Sequence, residues 1–266
     1  MGRLRLLLFL LATPALAHDT WVETNVNLVR PGDVVHVDLK LGNHGNGHRD
    51  FKLASKLTLD GATLDVIGPD GAAYDLKDRL RDTGYTPQEG YWTTRFGPTA
   101  PGVYTIAHRF DRVMTYAPER AIKSAKAFFV ASPSLDRPEA DLAGFDRPLG
   151  HPLELVPLAN PVAPMGPGTA IRVRLLYKGQ PLAGERVSFI PRGAELMADF
   201  DDRHERITDA EGVATFEPNE ANVYLIVAHH TEPQESGTLD GKAYQFTKYG
   251  ATLTVIVPGV CACCGG

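Results

Sequence analysis

The chain has 266 residues, a formal net charge of −5, and 26 glycines and 20 prolines scattered among short apolar runs. An acidic chain without basic clusters argues against nucleic acid or an anionic membrane as its main partner, and after the first residues no apolar run approaches the roughly 18 of a membrane span. There is no Gly-x-Ser-x-Gly, phosphate loop or dinucleotide fingerprint, which argues against ordinary hydrolase or nucleotide chemistry.

Met1 to Ala17 reads as a secretory signal: Arg3 and Arg5 form a basic start, Leu6 to Leu11 an apolar middle, and Ala15-Leu16-Ala17 a small-x-small cleavage site. Cleavage there predicts a periplasmic or secreted protein of 249 residues, with charge −7, that begins at His18. A first-residue histidine offers its amine and its ring Nδ1 as a chelating pair. Both groups deprotonate near neutrality, the amine at about 7.7–8.0 and the ring at about 6.5, so both can bind metal at physiological pH.

The turn Arg30-Pro31-Gly32-Asp33 leads into a period-2 strand, with Val35, Val37, Leu39 and Leu41 on one face and His36, Asp38 and Lys40 on the other. The glycine- and asparagine-rich stretch from Gly42 to Asp50 is a loop whose His44 and His48, four residues apart, reach one ion if the loop folds back; its bland reading is a solvated turn. Short strands follow near Leu57–Leu59, Thr63–Ile67 and Ala72–Leu76, the last two joined by Gly68-Pro69-Asp70-Gly71 as a hairpin. After a polar, turn-rich connection come Tyr91–Phe96 and Val103–Phe110. His108 shares a face with Tyr104, Ile106 and Phe110, the pattern of a hydrogen-bonded core histidine, yet it lies near the predicted strand end, where a side chain reaches a rim site.

Ala121–Ala131 closes a first β-sandwich domain, residues 18–131, which carries the candidate metal ligands His18, His44, His48 and His108. Residues 132–150, rich in proline and without periodicity, read as a linker. A second domain, residues 151–258, follows with strands at Leu153–Leu158, Ile171–Tyr177, Arg186–Ile190, Val213–Phe216, Asn222–His230 and Ala243–Val257, the last interrupted at Gly250. His204-Glu205-Arg206-Ile207-Thr208 falls in a charged loop, and Thr208-Asp209-Ala210-Glu211-Gly212 is a tight turn. The expected fold is all-β, two immunoglobulin-like sandwiches after a cleaved signal peptide.

Gly102 to His108 and Asn222 to His229 echo each other with one residue inserted, which turns the second histidine to the opposite face relative to its tyrosine. The tail from residue 259 holds all three cysteines, Cys261, Cys263 and Cys264, so neither domain has an internal disulfide. Thiolates this close suit soft metals, self-pairing or crosslinking, and not a four-ligand structural zinc site.

Ala15-Leu16-Ala17 followed by His18-Asp19-Thr20-Trp21-Val22-Glu23 resembles the mature start of the exported DUF4198 family, also called the nickel uptake transporter family. Leu153 to Pro161, Tyr177 to Gly184, Thr208 to Gly212 and Ala251 to Val255 continue the resemblance over nearly the whole mature chain. It implies capture of nickel or cobalt beside a membrane metal transporter. The nickel-associated branch pairs an amino-terminal histidine with a His-Pro and an acidic segment before Tyr-Thr-Lys. Here His18 matches, Gly45 replaces the proline after His44, and Tyr116-Ala117-Pro118-Glu119 precedes Ser124-Ala125-Lys126.

An amine–imidazole chelate suits copper(II) first and nickel(II) next, so the transition metal ion stays open among nickel, cobalt and copper. Asp19, Glu23 and Glu119 are candidate oxygen donors. The expected function is non-enzymatic metal capture for an uptake system. A copper oxidoreductase built on a histidine brace, which needs a second histidine opposite His18, and a non-catalytic immunoglobulin-like interaction module are the alternatives.

Overall fold

The computed structural model describes residues 18–42, 44, 59–86, 89–136, 138, 143–197 and 199–259. The signal segment, His48, the Leu57–Thr58 part of one expected strand, and the cysteine tail lie outside these residues. In chain order the strands are β1 (Asp19–Thr24), β2 (Leu28–Val29), β3 (Val35–Gly42), β4 (Ala62–Ile67), β5 (Ala73–Asp75), β6 (Arg81–Thr86), β7 (Glu89–Phe96), β8 (Gly102–Val113), β9 (Glu119–Ala131) and β10 (Leu153–Pro157). They continue with β11 (Ile171–Tyr177), β12 (Gln180–Pro181), β13 (Arg186–Pro191), β14 (Glu205–Ile207), β15 (Val213–Phe216), β16 (Asn222–Glu232), β17 (Gly237–Leu239), β18 (Lys242–Tyr244) and β19 (Phe246–Val257). The described residues contain no α-helix, and so no helix long and apolar enough to cross a membrane.

Most of the expected strands form, because their alternation gives each a face to bury. The hairpin closes through the Gly71 N–H to the Gly68 carbonyl, and Asp209 caps its own turn by accepting the amides of Glu211 and Val213. Three local readings differ. The polar connection before Tyr91 contains β6, paired antiparallel with β7. The charged stretch around His204 contains β14, an edge strand on β13. Gly250 does not interrupt its strand; the break falls at Gln245, between β18 and β19.

The all-β expectation holds, and the two sandwiches share one sheet. A nine-stranded sheet runs β14-β13-β16-β19-β9-β8-β4-β5, with β2 added on β9. Its two halves meet where β19 pairs in parallel with β9, from Phe246↔Glu119 to Thr254↔Ala127. Every other described pairing except β2 with β9 is antiparallel.

The smaller sheets lie on opposite faces of this long one. On the first face Tyr104, Ile106, Ala125, Ala127 and Phe129 pack against Val22, Val35, Val37 and Leu39 of the sheet β1-β3-β7-β6. On the second, Phe128, Val130, Ile226, Leu253 and Val255 pack against Leu153, Leu155, Ile171, Val173 and Leu175, carried by β10 and β11. Strand order outward from the centre, β9-β8-β4-β5 one way and β19-β16-β13-β14 the other, matches role for role, so the echo between β8 and β16 marks equivalent strands.

Strands covered on both faces bury charges that alternation alone would leave in water. Lys126 of β9 and Glu154 of β10 form an ion pair at 2.8 Å with both side chains 2% exposed. Glu154 also accepts the amides of Leu149, Gly150 and His151, fastening the end of the expected linker to β10. Lys40, which alternation places outward, is buried against Glu23 at 3.0 Å.

Candidate functional site

The first face of the long sheet carries β1 across β19 and β9. As the edge strand of its own sheet, β1 leaves alternate carbonyls unpaired. Two threonine hydroxyls of β19 satisfy them: Thr252 Oγ1 donates to the Thr20 carbonyl at 2.9 Å and Thr254 Oγ1 to that of Val22 at 2.7 Å. Trp21 is fully buried on Ile190, Leu225 and Val227, and its Nε1 donates to Glu23 Oε1 at 2.6 Å. Burial opposes the charge on Glu23, but Lys40, Arg192 and the Trp21 N–H hold its pKa down at about 2.

At the open end of β1, register aligns His229 of β16 with Gly250 of β19, and Gly250 with Lys123 of β9, so all three share the face that receives the chain's start. His229 Nε2 meets Asp19 Oδ1 at 2.8 Å, and Lys123 Nζ donates to the His18 carbonyl. Gly250 is the floor of this cluster. A Cβ there would stand 3.7 Å from Asp19 Oδ1, 3.7 Å from His229 Cδ2 and 3.8 Å from Lys123 Cγ.

The electrostatics follow from these contacts. Burial opposes the Asp19 charge, yet His229, Lys123 and His18 together hold its carboxyl below the usual range. Asp19 raises the pKa of His229 against the pull of burial. Burial lowers that of Lys123, partly offset by Asp19 and Glu119.

The four histidines expected as ligands have different fates. His18 starts this cluster. His44, at φ 61°, is fully buried; its Nε2 donates to the Val223 carbonyl at 3.2 Å and its ring meets Trp21 edge-on at 5.6 Å. His108 lies mid-strand, because β8 runs on to Val113, so it stands at no rim. It is fully buried and its Nδ1 donates to the Thr63 carbonyl at 2.7 Å. Burial, the largest influence on both rings, lowers each pKa to about 4, so both are neutral at physiological pH. His48 lies outside the described residues.

The structure does not gather these rings. His44 is tied to Val223 and Asp19 to His229, six residues apart on β16, or about 20 Å of strand. Glu23 and Glu119 are committed to ion pairs, Glu119 with Lys248 at 2.8 Å. Among the described residues no three His, Cys, Asp or Glu side chains form a ready metal cage. The cluster at Asp19 brings His18 and His229 about a carboxylate already paired with the His229 N–H, and cleavage at Ala17 would add the His18 amine, so the nitrogen donors would be one amine and two imidazoles. That donor set fits a nitrogen-preferring transition metal.

Sequence reasoning left His229 unassigned. Its signal was the inserted residue in the β8/β16 echo. The insertion turns His229 away from the face of Tyr224, and so out of its own sandwich, onto the face where Asp19 waits.

A family model described as a domain of unknown function, DUF4198, matches residues 15–232. No curated protein matches. Among solved structures, the D0-D1 domain of intimin is 9% identical, with 90% of this chain and 98% of that one covered and a TM-score of 0.23. A Salmonella alpha-2-macroglobulin reacted with methylamine is 12% identical at TM-score 0.25; 90% of this chain is covered, but only 15% of that one. A DUF4785 family protein from Legionella pneumophila is 10% identical at TM-score 0.26, covering 78% of this chain and 50% of that one. At these scores the likenesses carry no functional argument.

Proposed function

This chain belongs to the DUF4198 family, and from that premise we propose that it is an exported metal-binding protein whose first mature residue, His18, captures nickel, cobalt or copper for delivery to a membrane uptake system. One observation carries the reading. The residues just after the expected cleavage site are not a loose end: Asp19 is paired with His229, and the His18 carbonyl is held by Lys123. An amine and imidazole on a fixed backbone bind an ion with less ordering cost than the same groups on a free terminus. Export is supported by the signal-like pattern of Met1–Ala17, and delivery to a transporter by the resemblance at His18–Glu23.

The test compares the chain beginning at His18 with one extended by a single alanine, each titrated with nickel(II), cobalt(II) and copper(II). The extension turns the ligating amine into an amide, so affinity falls at least a hundredfold. Equal affinity in the two forms refutes the reading.

A further inference from the structure

We propose that His229 is the second imidazole ligand of the His18 site and that Asp19 is the residue that positions it. The proposal rests on the capture reading above and names the partner of His18 within it.

The chemistry starts from the pair itself. An ionised carboxylate only accepts hydrogen bonds, so at 2.8 Å from Asp19 Oδ1 the His229 Nε2 carries the hydrogen. In the neutral ring this leaves the lone pair on Nδ1. A histidine that ligates a metal usually donates its other ring N–H to a carboxylate or carbonyl, which fixes the tautomer and strengthens the ligand. The His229 side chain is 52% exposed, so an ion reaches it from solvent, whereas His44 and His108 are fully buried.

Asp19 directly follows His18, so the carboxylate that orients His229 is covalently joined to the other proposed ligand. Lys123 holds the intervening His18 carbonyl, and Lys123 and His229 are both in register with Gly250, where no side chain intrudes. An ordinary fastening of β1 to the sheet would need the ion pair alone. It would not need a half-exposed imidazole with its outer nitrogen left over. The resulting donors, one amine and two imidazoles, favour copper(II) and then nickel(II) over cobalt(II).

The experiment loads the chain beginning at His18 with copper(II) alone and measures affinity and the nitrogen hyperfine pattern by electron paramagnetic resonance. His229→Ala should weaken binding about a hundredfold and remove one imidazole nitrogen from the spectrum. Asp19→Asn should keep the nitrogen count and weaken binding about tenfold, within the usual range for a group that orients a ligand. Circular dichroism melts confirm that the variants fold, and His229→Gln serves if His229→Ala does not. Unchanged affinity and nitrogen count in the His229 variant overturn the assignment while leaving the capture reading intact. If the unmodified chain binds copper no better than its alanine-extended form, capture and assignment fall together.

Discussion

The buried pair Lys126–Glu154 tests whether the two sandwiches unfold as one body. Glu154→Gln leaves the Lys126 ammonium in the second-face core without a countercharge, a loss of about 3–5 kcal/mol for a pair broken from one side. Lys126→Met is milder. Glu154 keeps the amides of Leu149, Gly150 and His151, at 2.6, 3.0 and 3.1 Å, so its charge remains hydrogen-bonded and the cost is about 1–2 kcal/mol. The double variant should cost less than the two single losses added together, by about 2 kcal/mol. The protein's two tryptophans, Trp21 in β1 and Trp92 in β7, belong to the small sheet on the opposite face of the long one. Trp21 packs on Ile190, Leu225 and Val227 of the second half, so in a Trp21→Phe background urea unfolding followed by Trp92 fluorescence reads the first sandwich while the perturbation sits in the second. With β9 and β19 joined by a ladder, Glu154→Gln should lower the fluorescence midpoint by more than about 1 M, together with the circular dichroism midpoint. A fluorescence midpoint that stays put while circular dichroism splits into two transitions would refute the shared-sheet argument.

Acid should weaken the fold through His108. The unfolded ring takes its proton near 6.5 and the folded one only near 4, so stability is complete above 6.5 and drains as pH falls, by up to about 3 kcal/mol below 4. His108→Asn should flatten that slope in urea midpoints taken from pH 7.5 to 4.5, and an unaltered slope counts against a neutral buried imidazole. Gly250→Ala adds a Cβ at ordinary contact distance, so thermal stability should change by less than about 0.5 kcal/mol. Gly250→Leu should separate Asp19 from His229, seen as a lost imidazole shift perturbation in NMR. At Gly212, φ is +73° and a Cβ would stand 2.8 Å from the Leu175 carbonyl oxygen. Gly212→Ala should therefore cost about 1–3 kcal/mol by calorimetry, and a neutral result would deny the left-handed turn.

Local sequence narrowed the choices at the candidate site, and partners distant in the chain decided among them. For His108 the local pattern offered both a core histidine, from its strand neighbours Tyr104, Ile106 and Phe110, and a rim ligand, and only the full length of β8 decided between them. His229 was left unassigned. Its partner Asp19 lies 210 residues away, and only the packing of β1 across β19 and β9 brings them together. Lys40 misled for a related reason: a lysine in an alternating strand reads as solvent-facing, and nothing nearby announces that Glu23 will cover it.

Alone, the sequence determined the strands, most of their turns and the all-β class, because side chains alternate across a strand and glycine, proline and asparagine mark where it must stop. Which strands become neighbours was left to the tertiary structure. It merged two sandwiches through β9 and β19, covered that centre from both sides, and set a histidine of the second half against the aspartate that opens β1 of the first. Alternation tells a residue which face it occupies, but only packing between distant segments decides what lies on that face.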